Sequence, residues 1–447
     1  MKKKIQKSVC AVTLCLSALL CACAGGDVQT SDTEAFTDTS ITSDQTDEST
    51  QQASKGEITL EPLSPTKTQA PAVVVTSNLN ENTVLVAGIC ENDSTITVNG
   101  EYTKDLRVSS YGEDFVFSVE VPKRKSDTLS ITAKVDGKEE SKIASVKVKY
   151  DPGAEDTGLF VTTDGRICQN EILDDLYHSD LFTRNETTLI RKLAQDRVSD
   201  CKRAAGKDVQ VIYLLVPNPL TIYQDGLSEE MKSNIETDDS RMKQAVRALE
   251  SVNGVTVIDL TSVMNKHKDE NIYYYTDTHW TELGAYYGYV ELMNEIAKKF
   301  PSAAPHALSD YDIKNVTVSY TDMMTYAKTE NSGMRETAPF LISKYTPLAP
   351  YDAAKKEEAY IWDFTNEFFA EGYSTSKIDN DELPSGIILF DSFGLNAISF
   401  IAEHFSTLTC QTIWTYSVDY DLVEEQKPDY IIELISERTL GKLLSSK

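Results

Sequence analysis

The sequence predicts two folded regions in series: a β-sandwich, then an α/β domain whose parallel sheet is flanked by helices. Two patterns carry this prediction. Between Ile58 and about Asp151, apolar residues recur with a period of two, and Asn99-Gly100 and Asp136-Gly137 supply hairpin turns. From about Gly158 to the end, short apolar runs alternate with stretches of helical spacing, the order that builds an open parallel sheet. A chain of 447 residues has room for two or three separate cores.

The N-terminus reads as a targeting segment. Lys2, Lys3, Lys4 and Lys7 form a positive start, and Val9 to Leu20 is an apolar stretch too short for a comfortable membrane span. Leu20-Cys21-Ala22-Cys23 fits a lipobox, so residues 1–22 are expected to be a lipoprotein signal peptide with Cys23 lipidated. The alternative is an ordinary secretory signal cut near Ala22 or Ala24. Residues 23–57 are acidic and rich in Ser and Thr, with Phe36 as the one aromatic. Such a segment buries too little apolar area to fold and is expected to be a disordered tether. The formal net charge of −27 excludes a nucleic-acid partner, which needs a basic surface. The expected setting is the outer face of the cell membrane, held there by the lipid anchor.

Within 58–151, strands are expected at Ala72 to Val75, Thr83 to Ala87, Thr95 to Val98, Phe115 to Val121, Leu129 to Ala133 and Ala144 to Val148. This density of short strands suits a sandwich. Ser94-Thr95-Ile96-Thr97-Val98-Asn99-Gly100, with Asp114-Phe115 and Leu129-Ser130-Ile131, resembles the immunoglobulin-like modules of bacterial surface proteins. No catalytic grouping stands out here, and the region reads as a spacer, with glycan or partner binding as the alternative.

In the second region, 158–447, Val209 to Val216 is a near-continuous apolar run, as in a strand buried on both faces, and Pro217-Asn218-Pro219 stops it. Ser240 to Val252 has helical spacing, Val255 to Leu260 is the next strand, and Glu282 to Phe300 a long helix. Gly386 to Phe390, Thr412 to Tyr416 and Tyr430 to Leu434 are further strands, with a helix expected from Leu395 to Phe405. Residues 303–385 fit no clear pattern and read as an insertion lining the site.

Active sites of open α/β sheets lie beyond the carboxyl ends of the strands. Ser392 stands there, after the 386–390 run. Its hydroxyl needs a base to become a nucleophile. His279 can serve near neutral pH, and Asp277, two residues earlier, can fix the imidazole tautomer. The amides of Phe393 and Gly394 are expected oxyanion donors at a helix N-terminus. Each triad member also has a plainer reading: Asp277 and Ser392 as helix N-caps, His279 as a packed loop residue. Tyr273, Tyr274 and Tyr275 suit either sugar stacking or alternating burial. Arg438 suits either orienting substrate oxygens or an ion pair with Glu433 or Glu437.

The stretch Thr276-Asp277-Thr278-His279-Trp280-Thr281, followed by Gly284-Ala285-Tyr286-Tyr287, resembles the signature of the DHHW family. These are SGNH-hydrolase-like proteins typified by alginate O-acetyltransferases of the AlgJ/AlgX type. Val216-Pro217-Asn218, Val257-Ile258-Asp259-Leu260, Asp391-Ser392-Phe393 and Pro428-Asp429-Tyr430 follow in the family's order. The resemblance implies an SGNH-like fold and acetyl transfer outside the cell, with Asp277, His279 and Ser392 as the triad. It also implies a surface polysaccharide as acceptor and a membrane-bound O-acyltransferase as acetyl source. Asn218, Phe393, Gly394, Tyr275 and Arg438 are the expected substrate and oxyanion residues, with no cofactor and no metal. The sequence departs from the family where Thr278 replaces a His, where Phe390-Asp391 precedes Ser392, and where Pro219 follows Asn218. A carbohydrate esterase, or a catalytically silent glycan-binding lipoprotein, would share the scaffold.

Four cysteines remain after Cys23: Cys90, Cys168, Cys201 and Cys410. Their spacing forms no disulfide framework, and Cys168 with Cys201 is the one pair to check. His178, His267, His306 and His404 have no metal-ligand spacing.

Overall fold

The computed structural model describes residues 62–98, 104–107, 115–123, 128–318, 321–329, 334–348, 373–411 and 417–445. The signal peptide, Cys23, the tether, the Asn99-Gly100 turn, the Thr412 to Tyr416 strand and residues 349–372 of the 303–385 stretch lie outside them.

Seven strands come first: β1 (Ala72–Asn80), β2 (Thr83–Cys90), β3 (Ser94–Val98), β4 (Lys104–Arg107), β5 (Phe115–Pro122), β6 (Thr128–Val135) and β7 (Ala144–Lys147). They form two antiparallel sheets, β1-β2-β5 and β4-β3-β6-β7. Alternation decides which side chains go inward. In β3, Ser94, Ile96 and Val98 are buried and the residues between them are not. Ile96 and Val98 meet Val84, Val86, Phe117, Val119 and Ile131 in one core between the sheets.

β2 breaks the alternation. Every residue from Val84 to Cys90 is buried, which requires cover on both faces. The second cover comes from the α/β region. Leu85 and Ala87 join Val74, Leu79 and Val116 in a cluster with Val161, Ile167, Met323, Met324 and Ala327. Ser77 Oγ also donates to the carbonyl of Ala327 at 2.7 Å. The first sheet is therefore part of the packing beneath the site, and the reading of this region as a spacer is corrected.

The chain then forms the hairpin β8 (Leu159–Val161) and β9 (Ile167–Gln169), turned at Gly165 with φ 89°. Next come β10 (Gln210–Val216), β11 (Val255–Asp259), the antiparallel pair β12 (Tyr311–Val318) and β13 (Glu336–Ser343), then β14 (Tyr373–Lys377), β15 (Ser385–Phe390), β16 (Thr407–Gln411) and β17 (Tyr430–Ser436). One six-stranded sheet runs β11-β10-β17-β15-β16-β14 and is parallel except for β14 at the edge. Its last parallel strand pairs over Thr407–Gln411, ahead of the expected Thr412 to Tyr416.

The sheet is buried on both faces. Ile212, Leu214, Ile388, Phe390, Ile432 and Leu434 point to one side, where the helix Glu282–Ala297 packs. Val211, Tyr213, Leu215, Ile387, Leu389 and Ile431 point to the other, against the helices Arg184–Ala205 and Arg241–Glu250. The first of these helices starts at a capping box between Thr183 and Glu186 and stops at Gly206 with φ 67°. Arg197 on this helix and Glu433 on β17 form a buried ion pair.

Candidate active site

The ends of β10, β15 and β17 meet at one edge of the sheet, where Val216 lies beside Ser436 and Phe390 beside Leu434. Beyond β15 the chain turns at Asp391 into a 3-10 turn, Ser392–Asn396, followed by the short helix Ile398–Ala402. The long helix expected from Leu395 to Phe405 is absent here, so its dipole cannot serve Ser392. The N-cap is Asp391 and not Ser392. Its Oδ1 accepts the amide of Phe393 at 3.0 Å, and its carbonyl accepts that of Gly394 at 2.9 Å. Both amides expected as oxyanion donors are therefore already engaged, which corrects that assignment. The Asp391 Oδ2 accepts the amide of Ser436 at 2.7 Å and the hydroxyl of Thr439 at 2.8 Å.

The loop carrying His279 folds back on itself. Tyr273 and Trp280 form an antiparallel bridge, and the Tyr274 amide donates to the His279 carbonyl at 3.2 Å. Thr281, not Asp277, caps the helix Glu282–Ala297, accepting from the Gly284 amide at 3.3 Å. That leaves Asp277 to His279. Asp277 Oδ1 accepts the His279 amide at 2.9 Å and lies 2.6 Å from Nδ1. On the far side of the ring, Nε2 lies 2.7 Å from Ser392 Oγ. Asp277, His279 and Ser392 thus form one hydrogen-bonded row. His279 and Ser392 are 113 residues apart in sequence, and Trp280 fixes their spacing. Its buried Nε1–H donates to the Phe393 carbonyl at 2.8 Å, and its own carbonyl accepts from Asn396 Nδ2 at 2.9 Å.

Three charged side chains that sequence reading missed hold this loop. Arg166, 1 % exposed, donates to the carbonyls of Tyr273 (3.2 Å) and Tyr274 (2.9 Å), its guanidinium lying between the rings of Tyr223 and Tyr275. Glu336 on β13 accepts from the amides of Tyr275 (2.7 Å) and Thr276 (2.9 Å) and from the Thr276 hydroxyl (2.7 Å). Asp322 accepts from the Thr278 amide at 3.0 Å and from its hydroxyl. Two of the three come from the 303–385 stretch, which clamps the loop from behind. No local pattern marks these residues, because each meets the loop only in the folded chain.

The electrostatics follow from burial and pairing. Burial opposes a charge on Asp277, but the charge and hydrogen bonds of His279 outweigh it and hold the carboxyl below its usual range. Burial, with the charge of Asp277, pushes Asp322 the other way. Burial raises Glu336 to about 7 against the pull of its three donors. The side-chain ligand atoms of Asp277, His279 and Asp322 lie within 4.8 Å of one another. Their mutual hydrogen bonds already account for that closeness.

The remaining expected residues are placed as follows. Asn218 is 2 % exposed; its amide Nδ2 donates to Asp175 at 3.2 Å and its N–H to Glu437 at 2.8 Å, so it belongs to a buried network. Tyr273 is fully buried and donates to the Pro217 carbonyl, and Tyr275 is the floor under Arg166, which leaves only Tyr274 of the three lining the small cavity beside Asp277, whose walls also include Arg166, Cys168 and Pro219. Arg438 pairs with neither Glu433, taken by Arg197, nor Glu437, taken by Asn218 and Thr221. Its guanidinium lies 5.0 Å over the Phe393 ring and lines the cavity with Asp277, Thr278, Arg166 and Tyr274. Cys90, Cys168, Cys201 and Cys410 are all buried free thiols, so the pair Cys168 and Cys201 is not joined.

Residues 176–358 match the family model described as SGNH hydrolase-like domain, acetyltransferase AlgX. The middle of this chain is thus similar to SGNH hydrolase-like domains of the AlgX kind. The match spans Asp277, His279, Asp322 and Glu336 and ends before Ser392 and Arg438. Among solved structures, the fold is similar to PatB1 of Bacillus cereus with a sulfonyl adduct, at 14 % identity and TM-score 0.44, covering 59 % of this chain and 93 % of that one. It is similar to a DHHW family protein from Eubacterium siraeum at 14 % identity and TM-score 0.43, covering 71 % and 94 %. It is also similar to the O-acetyltransferase domain of Pseudomonas putida AlgJ at 15 % identity and TM-score 0.38, covering 64 % and 99 %. No curated protein matches the sequence.

Proposed function

We propose that this chain is an extracytoplasmic O-acetyltransferase that moves an acetyl group, through Ser392, to a hydroxyl of a cell-surface or secreted polysaccharide. The observation that carries the reading is the row Asp277–His279–Ser392, with contacts of 2.6 and 2.7 Å. The acetyltransferase description of the matched family supports acetyl as the group transferred. Ser392 Oγ adds to the acetyl carbonyl while His279 Nε2 takes its proton. His279 then passes that proton to the departing oxygen of the donor, leaving acetyl-Ser392. In the second half, a sugar hydroxyl attacks the acyl carbon and gives its proton to His279, which returns it to Ser392 Oγ. Asp277 holds Nδ1–H and offsets the imidazolium charge. With the Phe393 and Gly394 amides taken by Asp391, we assign the oxyanion to the Ser392 amide, which has no acceptor among the described residues, and to Arg438.

The Leu20-Cys21-Ala22-Cys23 lipobox and the polar tether support lipid anchoring at Cys23, which would keep the domain near a membrane-bound O-acyltransferase as acetyl source. Two antiparallel sheets around one core support the immunoglobulin-like reading of the N-terminal region. Radiolabelled fatty acid should enter the parent and not Cys23→Ala.

The activity is tested with p-nitrophenyl acetate, with and without oligosaccharide. Turnover by the parent that is lost in both Ser392→Ala and His279→Ala supports the acyl-enzyme. Acetylated sugar marks transfer, and free acetate alone marks an esterase. Equal turnover by all three proteins would remove Ser392 as nucleophile.

A further inference from the structure

Asp322 opens the short helix Asp322–Tyr326, capped by Thr321. The next two residues, Met323 and Met324, are buried in the cluster beneath the first sheet, so the position of Asp322 is set from behind. Three bonds tie it to the His279 loop. Its backbone N–H donates to Asp277 Oδ2 at 3.2 Å, its Oδ1 accepts the Thr278 amide at 3.0 Å, and its Oδ2 accepts the Thr278 hydroxyl. The same Oδ2 lies 3.8 Å from His279 Nδ1, on the side of the ring that faces Asp277 at 2.6 Å. The imidazole is thus seated against two carboxylates.

The geometry points to Asp322 as a second positioning carboxylate of this site, orienting Asp277 through its amide and placing a further negative charge beside His279 when the ring holds the serine proton. The inference rests on the acyl-transfer reading above. It also accounts for Thr278, which stands where the family pattern has a His. The Thr278 hydroxyl fixes Asp322 Oδ2 and lies 3.4 Å from His279 Nδ1. The other charged or titratable groups that face Asp322 are Asp277 on the loop, Arg438 after β17 and Cys168 on β9. Asp277 disfavours a charge on Asp322 and Arg438 favours one. Burial and Asp277 together keep the Asp322 carboxyl above the usual range, so its charge develops nearer neutral pH than that of an ordinary aspartate.

The sign is fixed by Coulomb's law. A negative neighbour favours the imidazolium, and the reaction needs the neutral ring. Removing the neighbour lets the ring lose its proton at lower pH. The test is the pH profile of kcat/KM for p-nitrophenyl acetate with the full chain, comparing the parent with Asp322→Asn and Asp322→Glu. We expect the ascending limb of Asp322→Asn to move to lower pH by about one unit. Its plateau kcat should fall several-fold with KM little changed, and Asp322→Glu should recover part of the shift. An unshifted limb with unchanged kcat in Asp322→Asn overturns the inference. Ser392→Ala and His279→Ala run alongside. If they keep turnover, the acyl-enzyme reading has failed. If they lose it while Asp322→Asn behaves as the parent, only the role of Asp322 has failed. Should Asp322→Asn not fold, Thr278→Val, which removes the hydroxyl that fixes Asp322 Oδ2, carries the same comparison, and a parent-like limb and kcat there overturn the proposal.

Discussion

Asp391 and Ser436 are joined by a 2.7 Å hydrogen bond, in which the buried carboxylate before the nucleophile accepts the amide at the end of the neighbouring strand. The same carboxylate takes Phe393 N–H and the Thr439 hydroxyl. The residue before the serine is thus a side chain that builds the turn. Replacing Asp391 with Ala leaves buried donors without acceptors, at about 1–3 kcal/mol each. Thermal unfolding should show a loss of roughly 3 kcal/mol or more, with turnover lost in parallel; a melting temperature equal to the parent's would contradict this account.

Glu336 provides a pH test of the loop clamp. Burial raises its carboxyl to about 7. Between the ordinary glutamate range and pH 7, the folded chain therefore holds a proton that the unfolded chain has released. Stability should fall as pH rises through that window, by on the order of 3 kcal/mol for this group. Melting curves from pH 5 to 7.5 should show the decline in the parent and a flatter profile in Glu336→Gln. Parallel profiles would remove Glu336 as its source.

Gly284 lies where the helix after the His279 loop begins. A Cβ there would meet the Ile272 carbonyl oxygen at 2.2 Å and Trp280 Cβ at 3.0 Å. Neither can retreat, since Ile272 O accepts the Thr281 amide and Trp280 is fully buried. Gly284→Ala should push the loop away from Ser392. Turnover should drop by more than tenfold, on the order of what a 1 Å misplacement costs. Parent-like kcat in this variant would mean that the loop tolerates the shift.

The N-terminal sheets can be tested by deletion. A chain beginning at residue 152 would uncover Val161, Ile167, Met323, Met324 and Ala327, all buried against the first sheet. It should be less stable than the full chain and should lose turnover, because Asp322 loses its backing. If that fragment folds and works as the full chain does, the packing of the first sheet is dispensable for the site.

Much of the α/β framework was legible in the sequence. A strand buried on both faces must be apolar throughout, so Val209 to Val216 announces itself, and a helix on a sheet must repeat its apolar face, as in the Arg241–Glu250 helix. The same rule applied to Val84 to Ala87 would have revealed the second cover on β2. The row of Asp277, His279 and Ser392 was legible as a candidate because its residue types and strand-end positions are local features. Local signals could not choose between that row and helix capping. The structure separates them by giving the caps to Thr281 and Asp391.

The sequence by itself determined the central apolar strands, the helices that repeat an apolar face and the residues available for chemistry, since these follow from periodicity and side-chain type. Only the tertiary structure decided which amides were already engaged, which carboxylates stood beside His279, and that the first N-terminal sheet packs behind Met323 and Met324. Those outcomes depend on distances such as 2.7 and 3.8 Å between segments far apart in the chain. Hydrogen bonding and charge act at that range and leave no period in the sequence.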